Sequence, residues 1–276
     1  MRLPHPFTGE LFDSPVPAGT GWPEDPAGRR TPVARDAGEV LELAGTDDLA
    51  ELTARVSVCR ACPRLVGWRE DVAVSKRKSF ADQPYWGRPI AGWGAPDPRI
   101  LIVGLAPAVH GGNRTGRVFT GDRSGDWLFA SLHRLGLANQ PTSVHAGDGL
   151  RLIGARMIAA VRCAPPANKP SPDERDTCNP WFRRELELVL PTTRAIVCLG
   201  KFGFDVLLNA LQEIGGTLPR PRPKFGHAAE YVVPVPGGEV TVIGSFHPSQ
   251  QNTFTGKLTE PMQDAVLARA KTLAGL

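Results

Sequence analysis

Residues Arg99 to Leu105 read RILIVGL, an apolar run that stops at a glycine. Three further runs repeat the pattern: MIAAV at Met157 to Val161, AIVCLG at Ala195 to Gly200 and VTVIG at Val240 to Gly244. Short runs that are apolar almost throughout, rather than at every second position, suit strands covered on both faces. Helical spacing fills the gaps, at Ser124 to Leu135, Asp173 to Leu190 and Lys201 to Gln212, and Pro261 to Leu273 reads as a closing helix. Alternation of strand and helix predicts an α/β sandwich built on a mainly parallel sheet. In such sheets the loops beyond the carboxyl ends of the strands carry the function. No internal repeat interrupts the pattern.

The composition agrees with this reading. The chain has 276 residues, 41% of them apolar and 22% charged, enough for a packed core in one large domain. No apolar run is long enough to span a bilayer. The first residues, with Pro4, Pro6, Glu10 and Asp13, lack the apolar stretch of a signal peptide, so a cytoplasmic location is expected. The net charge of +4 is too small to identify a nucleic-acid partner by itself. Two basic clusters, Lys76-Arg77-Lys78 and Arg220 with Arg222 and Lys224, read as solvated loops when each is taken alone. Residues 1–45 are rich in Pro, Gly and charge, and are expected to form an N-terminal extension, wrapped on the surface of a domain spanning 46–276 or partly disordered. Thr46 to Cys62 is predicted to be a helix, capped by Thr46, with Leu49, Leu52, Val56 and Cys59 on one face.

Three loops hold the residues with chemical potential. Gly104 to Asp122, GLAPAVHGGNRTGRVFTGD, is rich in glycine, so its backbone can approach a ligand closely. It carries His110, Asn113, Arg114, Arg117, Phe119 and Asp122, and it lacks the GxxxxGK[ST] spacing of a phosphate loop. Arg162 to Glu174, RCAPPANKPSPDE, is stiffened by four prolines and presents Asn168, whose amide can read a pyrimidine edge or merely close a local turn. Ser245 to Thr259, SFHPSQQNTFTGKLT, places His247 just past a strand end, with Phe254 further on as either a wedge for stacked bases or a buried loop residue.

Five cysteines are present. Cys59 and Cys62 form a C-x-x-C pair, Cys163 lies on the second loop, and Cys178 follows fifteen residues later. Four thiolates in this grouping can enclose zinc or a [4Fe–4S] cluster, and spacing does not choose between them. Cys198, inside AIVCLG, reads as a core residue.

Together, GLAPAVHGGNRTGRVFTGD, VRCAPPANKP, FHPSQQNTFTGKLT and the four cysteines resemble the family 5 (type B) uracil-DNA glycosylases, from about Cys59 to the C-terminus. The resemblance implies a three-layer α/β/α sandwich around a central four-stranded, mainly parallel sheet. It implies a [4Fe–4S] cluster on Cys59, Cys62, Cys163 and Cys178, with zinc as the alternative. By motif position Asp122 matches the family's catalytic carboxylate, Asn168 its base-reading amide and His247 the histidine of its last motif. Phe119 matches the aromatic that stacks on the extruded base and Asn252 the polar companion of the histidine, while Gly104, Ala106 and His110 fall where the base pocket is lined. Sister families carry an acidic or polar residue near the start of the first motif, where this chain has Leu105-Ala106-Pro107-Ala108. That apolar stretch predicts a roomier pocket, open to hypoxanthine and xanthine besides uracil. The expected enzyme is a monomeric, monofunctional glycosylase acting on single- or double-stranded DNA. The rival readings are a DNA-binding module that leaves bases intact and a nucleotide-binding α/β enzyme using the glycine loop for phosphate, against which the missing phosphate-loop lysine speaks.

Overall fold

The computed structural model describes residues 2–276. Its elements are β1 (Leu3–Pro4), β2 (Leu11–Phe12), α1 (Ala37–Ala44), α2 (Leu49–Val58), α3 (Pro63–Ser75), β3 (Trp93–Gly94), β4 (Ile100–Gly104), α4 (Gly112–Thr115), α5 (Arg123–Arg134), β5 (Ala155–Ala159), α6 (Pro172–Val189), β6 (Ala195–Leu199), α7 (Lys201–Glu213), β7 (Glu230–Val235), β8 (Gly238–Ser245), α8 (Gln250–Phe254) and α9 (Glu260–Ala274). β1 and β2 pair as a small antiparallel hairpin. The main sheet has six strands in the order β3-β5-β4-β6-β8-β7. Its four central strands, β5, β4, β6 and β8, are mutually parallel. The four apolar runs read in the sequence fall on them, although Ala160 and Val161 lie past the end of β5.

The sheet is buried on both faces by alternation along each strand. Ile100 and Ile102 pack with Leu128, Phe129 and Leu132 of α5 and with Val266 and Leu267 of α9. Leu101 and Val103 pack on the other face with Phe182 and Leu186 of α6 and with Phe204 and Leu207 of α7. This is the expected three-layer sandwich. Cys198, fully buried, belongs to the second face, as read.

The sheet is wider than the four strands expected, because β3 and β7 add antiparallel edges. β3 is only two residues long, and β7 alternates in exposure and carries Pro234, which an edge strand tolerates because one side of its ladder is free. β5 also starts two residues earlier than its apolar run. Arg156 enters the strand because its guanidinium lies 2.7 Å from the buried Glu185 carboxylate. Among the described residues no helix is long and apolar enough to cross a membrane.

Two further expectations need correction. The helix predicted over Thr46 to Cys62 is shorter. Asp48, not Thr46, caps α2 by accepting from Ala50 N at 2.7 Å, while the Thr46 hydroxyl donates to Glu51. Cys59 leaves the helix in extended backbone and Pro63 starts α3, so the C-x-x-C pair lies in the link between two helices. Nor are residues 2–45 a surface wrapping alone. Phe12, Val16 and Trp22 join the core that holds Phe129 and Met157, and Ala34, Val40 and Ala44 pack with Cys178 and Trp181. The boundary expected at residue 45 therefore crosses continuous packing. Arg117, fully buried, ties the segment down further through ion pairs to Glu24 at 3.2 Å and Asp148 at 2.8 Å.

Candidate active site

Loops beyond the carboxyl ends of β4 and β5 face one another across a cleft of about 760 Å³. Asp122, from the first loop, is the N-cap of α5, and one of its oxygens, Oδ1, accepts from Gly125 N at 3.0 Å. The helix start thus orients the carboxylate and leaves Oδ2 for other work. Burial pushes the Asp122 pKa up, against backbone N–H donors from Gly125 and Ser124 that favour the charged form. Gly111 makes room for this group: a Cβ there would stand 2.3 Å from Asp122 Oδ2.

Asn168 and His110 line the same cleft. Asn168 is exposed, and both it and Ala167 sit in left-handed backbone, with φ of 56° and 52°. Asparagine tolerates that region better than most residues. His110 contacts the Tyr85 hydroxyl through Nδ1 at 3.1 Å, and burial followed by Arg77 and Arg114 lowers its pKa. Arg114 is held beneath the cleft by bonds to the carbonyls of His110 and Gly121 and to Gln83 Oε1, at 2.8 to 3.0 Å.

Phe119 and His247 form a second unit. Their ring centroids lie 5.9 Å apart with planes at 35°. Phe119 is held in left-handed backbone, φ 52°, with its ring against Gly104, where a Cβ would come within 2.7 Å of Phe119 Cζ. His247 follows β8, and burial pushes its pKa down to about 4, so its imidazole is neutral near pH 7. Asn252 Nδ2 donates to the His247 carbonyl at 2.9 Å. Phe119, His247, Asn252, Gly104 and Ala106 do not line the cleft itself. Gly104 serves to admit the Phe119 ring, and Asn252 to hold the His247 backbone.

A family model described as the uracil DNA glycosylase superfamily matches residues 91–271. The chain belongs to the uracil DNA glycosylase superfamily. The Type-5 uracil-DNA glycosylases of Mycobacterium bovis and Mycobacterium tuberculosis are each 58% identical to it over 273 residues, 99% of this chain and 99% of theirs. That of Thermus thermophilus is 49% identical over 221 residues, 80% of this chain and 96% of its own. The likeness to the mycobacterial proteins includes the N-terminal segment, so it extends beyond the expected start near Cys59.

The superfamily reading raises the question of the four cysteines. Cys59, Cys62, Cys163 and Cys178 line one small cavity with Arg69, Arg162 and Trp181. Burial raises the thiol pKa of Cys59 and Cys178 and pushes that of Cys62 up to about 12, with the neighbouring thiols adding to the effect. Arg69 Nη1 donates to Cys163 Sγ at 2.8 Å, and Arg162 N to Cys178 Sγ at 3.4 Å. Yet Arg69 Nε, the three side-chain nitrogens of Arg162 and Trp181 Nε1 are buried without an aligned acceptor, although Arg162 lies 2.7 Å from Glu185. Among the described residues, no three Cys, His, Asp or Glu side chains gather at single-ion range. Four buried thiols beside Arg69 and Arg162, with Arg69 Nε and Trp181 Nε1 still without a partner, fit a negatively charged group with sulfur acceptors of its own. They fit a lone zinc ion less well, since zinc needs a tight tetrahedron and, among the described residues, no three of these side chains gather closely enough for one ion.

The cleft also contains residues that the sequence reading passed over. Arg77 belongs to a cluster read as a solvated loop, and Phe80, Arg123, Ser143 to His145 and Gln250 belong to no site assignment. Charge beside the motifs was the available signal for Arg77 and Arg123; the 143–145 stretch had none. Phe254 is not buried but 69% exposed, and the Arg123 guanidinium lies 5.6 Å from its ring. Arg220, Arg222 and Lys224 do not line the cleft; Arg222 bonds to Asn209 and Gln212 on α7.

Proposed function

We propose that this chain hydrolyses the N-glycosidic bond of uracil in single- or double-stranded DNA, and also that of hypoxanthine and xanthine, as the first step of base-excision repair. The observation that carries the reading is the meeting of Asp122 and Asn168, 46 positions apart in sequence, in one cleft of a superfamily member.

The target base leaves the stack, at least cost when its pair is mismatched. The bond then breaks through an oxocarbenium-like state, with positive charge on the sugar and negative charge on the departing base. Asp122 Oδ2, the oxygen not used in capping, stabilises the sugar cation and holds the attacking water. Neutral His247 lies outside the cleft lining, against Phe119, and would reach the base oxygen only where the extruded base seats beyond that lining. Phe119, whose ring is packed against Gly104 outside the cleft lining, would stack on a base seated that deeply, a contact worth about 1–3 kcal/mol for a nucleic-acid base. Asn168 pairs its amide with the pyrimidine edge. Arg77 and Arg123 meet backbone phosphates.

Cys59, Cys62, Cys163 and Cys178 would hold a [4Fe–4S] cluster. Those four residues, at the start of α3, on the Asn168 loop and on α6, would then be tied together through it. Hydrolysis transfers no net electrons, so the four thiolates serve the architecture and the placing of Asn168.

A labelled duplex with one uracil tests the reading. Strand cleavage that requires both the uracil and a later alkali step is the expected result. A salt-sensitive mobility shift without cleavage would replace the enzyme by a DNA-binding module. Hypoxanthine and xanthine duplexes left intact, under conditions that release uracil, would remove the broader specificity.

A further inference from the structure

The hairpin of β1 and β2 turns through residues 5–10, closed by Gly9 N to His5 O at 2.9 Å and His5 N to Glu10 O at 2.8 Å. Its tip is part of the cleft, because Pro6 lines the same cavity as Asp122 and Asn168. The tip is also firmly held. His5 is buried, with its ring edge-on to Trp22 at 4.8 Å and to His145 at 4.4 Å. Its Nδ1 accepts from Phe7 N at 3.2 Å and Thr8 N at 3.3 Å. Glu24 Oε1 accepts from Gly147 N at 2.9 Å, so the segment and the 143–148 loop are clamped together. Against this rigid base two apolar side chains stand out in solvent, Phe7 at 49% and Val144 at 48% exposure. The Phe7 ring lies 6.5 Å from the His145 ring, on the rim of a cleft that also carries Arg77 and Arg123. An exposed aromatic on a fixed turn, continuous with a cationic cleft, matches the stacking platforms that proteins offer to unpaired bases.

We propose that the N-terminal hairpin is part of the DNA-binding surface, with Phe7 stacking on a base that flanks the extruded nucleotide. The proposal rests on the glycosylase reading and adds a contact outside the span of the superfamily model, which begins at residue 91. Phe7 is a positioning residue: it steadies the strand while the reacting nucleotide meets Asp122 and Asn168.

The test uses the full chain and a uracil duplex with 2-aminopurine beside the uracil. Single-turnover excision is followed across enzyme concentration, and fluorescence reports stacking of the flanking base. Phe7→Ala is expected to raise the half-saturating enzyme concentration by roughly tenfold while the saturated rate falls far less, and to weaken the fluorescence change. Phe7→Trp should restore both readouts and Phe7→Leu neither, a comparison that stands even if the alanine variant folds poorly. Ile153→Ala, equally exposed but before the amino end of β5, is the control and should change nothing. Unchanged half-saturation and fluorescence in both Phe7→Ala and Phe7→Leu would overturn the proposal. Loss of excision in the unsubstituted chain would instead overturn the glycosylase reading, and the fluorescence comparison would still decide the role of Phe7 in DNA binding.

Discussion

At position 122 one carboxylate caps α5 through Oδ1, and the function proposed above gives the chemistry to Oδ2. Asparagine caps helices as well as aspartate does, so Asp122→Asn keeps the start of α5. Because burial raises the Asp122 pKa, the folded state favours the protonated form, and ionisation costs stability at neutral pH. Asp122→Asn is therefore expected to melt at or above the temperature of the unsubstituted protein, while uracil excision falls by about 100-fold or more. A lower melting temperature with excision retained would contradict both assignments. The same ionisation predicts that excision rises with pH along an acid limb lying above the ordinary carboxylate range of about 4, a limb that Asp122→Asn removes from the pH–rate profile. Gly111→Ala is expected to displace Asp122 Oδ2, since the added Cβ falls 2.3 Å from it, and to slow excision by about 100-fold. Asp122 and Asn168 were legible from their motifs; the role of Gly111 was not, because nothing in a run of glycines says which one faces a carboxylate eleven residues away.

The elements that hold the cysteines are joined by a clamp of their own. Ser171 and Glu174 form a capping box at the start of α6, and Arg64 of α3 donates to both Glu174 oxygens at 2.6 and 2.7 Å. α3 begins just after Cys62 and α6 carries Cys178, so the clamp spans the cage. Burial alone would raise the Glu174 pKa, but the Arg64 and Ser171 donors hold it below the usual carboxylate range. Ser171→Ala should cost about 1 kcal/mol in chemical denaturation. In protein purified with its iron, Glu174→Ala should speed iron loss to a chelator several-fold, and an unchanged rate would detach the clamp from the cage. Cys163→Ser should lower the iron and acid-labile sulfide bound per chain; a zinc content unaffected by iron supply would point to the alternative metal. Central strands and long helices were legible at this scale because apolar periodicity is local. β3, β7 and α3 were not. A two-residue strand has no period, an edge strand alternates, and α3 interrupts its apolar spacing with Gly67 and the buried Arg69.

Across the molecule, the N-terminal segment is structural before it is anything else. Removing residues 1–45 would expose the surfaces covered by Phe12, Val16, Trp22 and Val40, each large apolar side chain worth about 1.5–3 kcal/mol on burial. The shortened chain is expected to melt far below the full chain or to aggregate, whereas a dispensable extension would leave the transition in place. Buried histidines set a second global trait. Burial lowers the pKa of His247 to about 4 and of His145 to about 3, from an ordinary value of 6.5. Their neutral forms contribute stability that is complete above pH 6.5 and is lost as the pH falls toward 4 and below, because the unfolded chain takes up the protons first. Melting temperature should therefore decline through that window, and a flat profile would show that both imidazoles titrate normally. Local spacing was enough to read four buried strands, the helices that cover them and the loops after them, while the four-stranded centre and the choice of Asp122, Asn168 and His247 came from the family resemblance of the motifs. Packing of the layers is what brings the Asn168 loop to face Asp122 and lets Gly104 admit the Phe119 ring. It also decided that Arg69 and Arg162 surround the cysteines and that Pro6 and Phe7 border the cleft. Those relations join residues far apart in the chain, and they follow from how the layers pack rather than from any local period.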